Sequence, residues 1–252
     1  MEIGKKIHRI KSCPSTNDLA KELAKKGAQQ GEVVVCDEQT RGKGTKGRIW
    51  HSVSGKGLCF SVLLFPSRSD LSLLPLAASV AVKDAVFQSL GILIELKWPN
   101  DLVYKGRKIG GILCESCFSG KKLNHSIVGI GINVKQSEDD FPADLQKNAG
   151  SLEMIIQKDI DKDQLLQSVC CELGKWYQRF LKNKDDHILK QYLEACPYHI
   201  NDLLNANARG KPVTGLFKGL DKEGKMILEV KGKEKRFLSG ELNIRDIKRG
   251  DK

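Results

Sequence analysis

The sequence has 252 residues, of which 40% are hydrophobic and 29% are charged, and its formal net charge is +11 at pH 7. This composition is that of a soluble globular protein. The longest apolar runs, such as residues 71–82, are broken by polar residues or proline and fall short of the ~20 residues that cross a bilayer, which argues against a membrane protein. The N-terminus lacks the apolar core of a secretory signal, so we expect a cytoplasmic protein.

The positive charge favours an anionic partner, which could be nucleic acid, phosphates or an acidic protein. The eight cysteines are dilute in a chain of this length. Cys114 and Cys117 form a C-x-x-C pair, but a second pair that would complete a zinc site is absent from the sequence. We therefore expect buried free thiols.

Strands and helices alternate in the first 200 residues. The helix after the first strand starts at the N-cap residue types Ser15, Thr16 and Asn17. The helix that begins near Pro75 ends before Gly91. The predicted strands are 6–10, 32–38, 58–65, 92–98, two on either side of the Lys105-Gly106 turn, and 126–134; the predicted helices are 14–27, 75–90, 162–181 and 185–195.

The strand over residues 126–134 has two different faces. One face carries Val128, Ile130, Ile132 and Val134, and the other carries two glycines and Asn133. Missing side chains allow a ligand or another backbone to approach closely, although tight helix packing is an alternative. A loop over residues 135–150 follows.

The sequence pattern changes after Pro197. From there on, short predicted strands alternate with glycine turns, as in a small all-β barrel. The sequence therefore predicts two domains, covering residues 1–200 and 201–252.

A loop rich in glycine and cations, "TRGKGTKGRIW", occupies residues 40–50. It has the spacing of a dinucleotide-binding turn, but the following residues, rich in glycine and serine, do not favour the helix that such a turn requires. A P-loop is also excluded, because Arg48-Ile49 stands where Lys-Ser/Thr is needed. The loop is therefore predicted to bind an anion, but not as a dinucleotide-binding turn or a P-loop.

Polar residues follow several of the predicted strands, among them Gln39, Asn100 and Asp101, while Lys108 adds a cation. This set has cations and amides but lacks an evident nucleophile triad. Such a site suits adenylation, in which a carboxylate attacks an α-phosphate and the main obstacles are charge repulsion and alignment. Taken singly, Ser15–Asn17 could be a plain helix cap and Lys108 a solvated strand end.

Five segments together resemble biotin–protein ligases in order and spacing. They are "STN" at 15–17, "QTRGKGTKGRIW" at 39–50, "KWPNDLVYKGRKIGGIL" at 97–113, "GIGIN" at 129–133 and "SGELNIR" at 239–245. The resemblance implies an α+β fold, with a mixed-sheet catalytic domain of the class II aminoacyl-tRNA synthetase type and a C-terminal barrel of the Src-homology-3 type.

The resemblance also implies a two-step reaction. Biotin and ATP, with Mg²⁺, give biotinyl-AMP, and a lysine of a biotin carboxyl carrier protein then takes the biotin. A tightly bound cofactor and specific DNA binding are not expected, and a homodimer is possible. Because only 14 residues precede Ser15, the winged-helix repressor domain of some family members is not expected.

By the same resemblance, the site residues fall into groups. The catalytic candidates are Lys43, Arg48 and Lys108. The biotin-binding candidates are Ser15, Thr16, Asn17, Gln39, Lys43, Gly44, Thr45, Lys108, Gly111 and Leu113. The ATP-binding candidates are Arg48, Trp50, Asn100, Asn133 and Arg245, and Asp101 is the candidate for the metal.

The glycine loop departs from the arginine-rich loop of the family, because Lys43 and Thr45 stand at its first two arginine positions. We expect weaker retention of biotinyl-AMP as a result. Two alternatives remain open: a lipoate or other acyl-carrier ligase, and a basic nucleic-acid-binding protein.

Overall fold

The computed structural model describes residues 2–239 and 241–248. Across these residues, seven strands form a mixed sheet in the order β1-β2-β3-β7-β6-β5-β4, in which β1 and β2 are parallel and all other neighbours are antiparallel. The strands are β1 (Ile7–Cys13), β2 (Val33–Gln39), β3 (Gly57–Leu64), β4 (Glu95–Lys97), β5 (Asp101–Tyr104), β6 (Arg107–Ser119) and β7 (Lys122–Asn133).

The helices are α1 (Thr16–Lys25), α2 (Leu74–Leu90), α3 (Leu152–Ile156), α4 (Lys162–Leu181) and α5 (Asp185–Glu194). Ten of the seventeen residues of α2 are buried, and they lie on all sides of the helix. A helix that is apolar all round must be covered all round. The sheet, α4 and α5 provide that cover, and the main core therefore lies on this face of the sheet.

The opposite face of the sheet is covered differently. α1 packs there through a small cluster of Ala20, Val34, Leu63 and Ile127. With ten residues at about 1.5 Å each, α1 is only about 15 Å long and covers part of the face. The faces predicted for residues 126–134 are confirmed: Val128, Ile130, Ile132 and Val134 join the main core, and the glycines point to the α1 side.

In the described part of the chain, five further strands form a second, antiparallel sheet in the order β11-β10-β9-β8-β12. They are β8 (Leu203–Ala208), β9 (Lys211–Leu220), β10 (Met226–Val230), β11 (Lys233–Phe237) and β12 (Leu242–Lys248). The two sheets are joined by direct contacts. The indole of Trp98 donates to the Gly224 carbonyl at 2.9 Å, and Tyr198 packs edge-on against Phe217.

Two element predictions need correction. The strand predicted over residues 92–98 is only β4. Its partner β5 ends at Tyr104, and the register places residues 92 and 93 opposite the Lys105-Gly106 turn, where they have no strand to pair with. The short helix α3 was not predicted. None of the described helices is long and apolar enough to span a membrane.

Gly224 provides a test of how the second sheet packs. Its φ is +76°, and an added Cβ would lie 2.9 Å from side-chain carbons of Leu73 and Leu76. Gly232 has a similar φ of +73° but open space around it. We expect Gly232→Ala to lower the free energy of unfolding by ~1–2 kcal/mol through backbone strain alone. Gly224→Ala should cost a further ~1–3 kcal/mol through overpacking.

Chemical denaturation of both variants measures the difference. Equal losses in the two variants would show that the contact between Gly224 and α2 does not hold the second sheet in place.

Candidate active site

A cavity of about 280 Å³ lies on the sheet face that α1 leaves uncovered. Its wall includes every predicted site residue except Arg245, whose side chain lies outside the described part of the structure. The lining residues are Ser15, Thr16, Asn17, Gln39, Lys43, Gly44, Thr45, Arg48, Ile49, Trp50, His51, Asn100, Asp101, Lys108, Gly111, Ile112, Leu113, Gly129, Ile130, Gly131, Asn133, Phe141, Leu145, Asn148 and Ala149.

The N-terminus of α1 supplies buried polar groups to the cavity. Ser15 holds the N-cap position, but within the described structure its side chain makes no capping hydrogen bond, so the plain helix-cap interpretation fails for its hydroxyl. The backbone N–H and the hydroxyl of Thr16 both donate to Gln39 Oε1, at 2.8 and 3.1 Å. These contacts join α1 to the end of β2.

Asn17 is held by three neighbours. Its Nδ2 donates to Glu115 Oε2 at 2.7 Å and to the Leu113 carbonyl at 3.4 Å. Its Oδ1 accepts from the hydroxyl of Ser61 at 2.6 Å. Sequence reasoning missed Ser61 and Glu115, because a lone serine in a buried strand and a lone glutamate in β6 carry no motif of their own.

Glu115 is ionised at neutral pH despite its partial burial. Burial acts to raise the pKa of its carboxyl, but hydrogen bonds from Lys21 and Asn17 and the charge of Lys21 together lower that pKa below its usual value. Lys21 donates to Glu115 Oε1 at 2.6 Å. Glu115 therefore acts only as a hydrogen-bond acceptor.

The glycine loop folds back on itself beside the cavity. The Gly44 N–H donates to the Arg48 carbonyl at 2.7 Å, and the Trp50 N–H donates to the Gly42 carbonyl at 2.9 Å. Two of its cations have partners within the protein. Arg48 donates to the hydroxyl of Thr45 at 2.8 Å, and Lys43 forms an ion pair with Asp18 at 2.5 Å.

Trp50 packs directly on β7. A Cβ on Gly131 would lie 2.7 Å from the indole ring, so only glycine admits the tryptophan at this distance. Gly129, two residues earlier, makes the same kind of close approach to the side chain of Asn17. The space beside the two glycines of β7 is therefore occupied by the side chains of Asn17 and Trp50, which themselves line the cavity.

Lys108 is fixed at both its backbone and its side chain. Its N–H donates to the Asn148 carbonyl at 2.7 Å, and its carbonyl accepts from Gly150 at 2.9 Å. Its ammonium pairs with Asp101 Oδ1 at 2.5 Å and lies 6.0 Å from the centre of the Trp50 ring. This arrangement is not that of a solvated strand end.

The register of β6 and β7 orders these groups along the cavity. Leu113 pairs with Gly129, at the level of Asn17, and Gly111 pairs with Gly131, at the level of Trp50 and Lys108. Two residues of a strand span about 7 Å. The amide of Asn17 and the ammonium of Lys108 are therefore offset along the same groove by roughly that distance.

The predicted nucleotide-binding amides have a structural task as well. Asn100 Nδ2 donates to the Ile112 carbonyl at 2.6 Å, and Asn133 Nδ2 donates to the Gly150 carbonyl at 2.9 Å. The second bond holds the segment 141–149 against the cavity. That segment was predicted only as part of a loop, since neither periodicity nor a motif marks its inward-facing residues.

The described residues contain no group of three or more His, Cys, Asp or Glu side chains that could hold a metal ion. Among the described lining residues, Asp101 is the one carboxylate. All eight cysteines are free, as predicted, but the predicted burial is wrong for Cys117 and Cys171, which are exposed, and Cys114 is only partly buried.

Comparison with known proteins gives a consistent result. The profile of the biotin/lipoate A/B protein ligase family matches residues 9–133. The bifunctional ligase/repressor BirA of Bacillus spizizenii is 34% identical over 235 residues, which cover 91% of this chain and 71% of that protein. The chain belongs to the biotin/lipoate A/B protein ligase family.

Other members of this ligase family match over most of their length. The biotin–[acetyl-CoA-carboxylase] ligase of Paracoccus denitrificans is 28% identical over 226 residues, which cover 85% of this chain and 90% of that one. The biotin protein ligase from Aquifex aeolicus, in complex with biotin and ATP, has a TM-score of 0.83 and 30% identity, covering 98% of this chain and 100% of the other.

Proposed function

We propose that this chain is an ATP-dependent biotin–protein ligase that forms biotinyl-AMP and transfers biotin to a lysine of a biotin carboxyl carrier domain. One observation carries the proposal: a single groove joins the buried amides and hydroxyls of α1 to Lys108 and the cations of the glycine loop. The first set suits a polar, uncharged ring, and the second suits a carboxylate beside a phosphate. The relatives that are named as biotin ligases support biotin as the molecule that supplies this ring.

In the first step, a carboxylate oxygen of biotin attacks the α-phosphorus of ATP. The bond from the α-phosphorus to the bridging oxygen of the β-phosphate breaks, and pyrophosphate leaves. The obstacle is the repulsion between the two anions. Lys108 lies about 7 Å along the groove from Asn17, by strand register, so its ammonium can contact both anions when the biotin ring is at α1. Lys43 and Arg48 supply further positive charge.

In the second step, the neutral amine of the carrier lysine attacks the carbonyl carbon of the mixed anhydride. The carbon–oxygen bond to AMP breaks, an amide bond forms, and the amine loses its proton to solvent. The lining residues supply positioning and charge, and this suffices because the adenylate is already activated.

We assign the remaining residues in the same way. The biotin-binding residues are Ser15, Thr16, Asn17, Gln39, Gly44, Thr45, Gly111 and Leu113, and the residues that bind the nucleotide are Trp50, Asn100, Asn133 and Arg245. ATP enters as its magnesium complex, and Asp101 is the carboxylate available to that ion. Because Asp101 is paired with Lys108 and stands alone among the described lining residues, no step is assigned to the metal.

The wider organisation belongs to the same proposal. Residues 1–200 form a catalytic domain of the class II aminoacyl-tRNA synthetase type, and residues 201–252 form a Src-homology-3-like barrel. The protein works in the cytoplasm, where ATP and the carrier are found, and its eight free thiols are compatible with that compartment. A homodimer is possible on this proposal.

Calorimetry with biotin and with lipoate, followed by transfer of biotin to a purified carrier domain in the presence of Mg·ATP, tests the function. We expect tight binding of biotin and formation of one amide bond per carrier. Binding of lipoate in place of biotin would favour the acyl-carrier alternative. Absence of biotin binding, together with salt-sensitive DNA binding, would favour the nucleic-acid alternative.

Removing the Lys108 ammonium should slow the first step. We expect Lys108→Ala to reduce the rate of biotinyl-AMP formation by ~10²-fold or more, because the anions then meet without a cation and Asp101 is left uncompensated. Pyrophosphate release measures this rate. Lys121→Ala, an exposed lysine of the β6–β7 turn, serves as the control and should match the wild type. Adenylation at the wild-type rate in Lys108→Ala would contradict the assigned role.

The glycine loop should set how long the adenylate stays bound. Lysine offers a point charge where arginine offers a planar fork, and Thr45 offers one hydroxyl, which here accepts from Arg48. We expect the Lys43→Arg, Thr45→Arg double variant to release biotinyl-AMP more slowly than the wild type and to biotinylate fewer bystander lysines. Stopped-flow release and mass spectrometry measure the two effects.

Lys46→Arg is the matched control for the loop, since Lys46 is exposed and does not line the described cavity. If the double variant releases the adenylate as fast as the wild type, retention depends on Trp50 or on loop closure and not on these two positions.

A further inference from the structure

The side chain of Asn17 is oriented by groups that lie outside the cavity. Glu115 accepts from Nδ2 on one side. On the other side, the single proton of the Ser61 hydroxyl is shared between Asn17 Oδ1 at 2.6 Å and Thr16 Oγ1 at 2.7 Å. Asn17 is only 3% exposed and Ser61 is fully buried, so water does not substitute for these partners. Glu115 is not among the described residues that line the cavity, and its side-chain hydrogen bonds within the described structure are those from Asn17 and Lys21.

The charge of Glu115 decides which way the amide of Asn17 faces. An ionised carboxylate has no proton to donate, so the group turned toward it must be the NH₂. The opposite orientation would place Oδ1 against a carboxylate oxygen. Both hydrogens of Nδ2 are then used, by Glu115 and the Leu113 carbonyl, and the free hydrogen-bonding capacity of the amide is one lone pair of Oδ1.

Lys21 occupies one of the two oxygens of Glu115. Its ammonium donates to Glu115 Oε1 at 2.6 Å and also lies 3.8 Å from Asp18, the ion-pair partner of Lys43. Only one oxygen of Glu115 thus faces Asn17, while the other faces a cation. A neutral side chain at position 115 would have to place its acceptor toward Lys21.

We propose that Glu115, held by Lys21, is a specificity-determining positioning residue: it fixes Asn17 so that the cavity receives an acceptor oxygen and selects ring systems that carry an N–H donor. The inference rests on the proposed function. The cyclic urea of biotin has two N–H groups, whereas the dithiolane ring of lipoate has none. A site built around a hydrogen bond discriminates strongly against an analogue that lacks the group.

The test uses the Glu115→Gln variant, which keeps the shape and removes the charge. Its oxygen faces the ammonium of Lys21, so its NH₂ faces Asn17 and turns the Asn17 oxygen away from the cavity. We expect the Kd for biotin to rise by about 10- to 100-fold, the cost of one lost and one opposed hydrogen bond. The Kd for ATP and the Tm should stay close to those of the wild type.

A second variant supplies the rescue. In Lys21→Met, Glu115→Gln, the glutamine is released from the cation and can turn its oxygen to Asn17, so we expect at least a tenfold recovery of biotin affinity. Lys21→Met alone retains the carboxylate and should bind biotin almost as the wild type does. Purely structural support by Glu115 would predict the reverse, with the double variant weaker than either single one.

The outcomes separate the inference from the function on which it rests. Wild-type protein that does not bind biotin overturns both. Wild-type binding with unchanged biotin affinity in Glu115→Gln overturns only the inference. Loss of biotin and ATP affinity together with a lowered Tm, or a double variant that does not recover, also overturns it. Selective loss followed by recovery supports it.

Discussion

The two unlike faces of β7 are the constraint on which the rest of the structure depends. Branched apolar side chains on one face join the main core, while Gly129 and Gly131 leave the other face bare. A sheet buried on both faces would be only a scaffold. Because α1 is short, the bare face stays open beyond its N-terminus, and Asn17 and Trp50 can reach the strand backbone.

This face of β7 could be predicted from the sequence because alternation along a single strand is a local property. Helix bounds were similarly accessible, since α4 and α5 follow regular apolar spacing and end near their predicted limits. The length predicted for β4 was too great, for a reason that is not local in sequence. Its length depends on where its partner β5 turns away, at Lys105-Gly106.

The site was predictable where its residues lie in motifs and was missed where they do not. Segments such as "STN" and "KWPND" carry their order and spacing in the sequence, and all of the first segment together with Asn100 and Asp101 of the second lines one cavity. Ser61 and Glu115 lie 44 and 98 positions from Asn17, and nothing near them in sequence indicates that they meet it. Residues 141–149 were missed similarly. They reach the wall because the Lys108 N–H donates to the Asn148 carbonyl, and because Lys108 and the side chain of Asn133 both bond to Gly150 next to them.

The formal charge of +11 suggests a strongly attractive surface, but two of the lysines that line the cavity already have carboxylate partners: Lys108 has Asp101 and Lys43 has Asp18. An incoming anion must therefore displace a resident carboxylate, and its binding is a counter-ion exchange with a free energy equal to the difference between two pairings. A weakly charged anion gains little by such an exchange, whereas a polyphosphate can compensate both lysines at once. The resident carboxylates thus weaken the binding of every anion, and a polyphosphate can best compensate for that loss because it contacts both lysines.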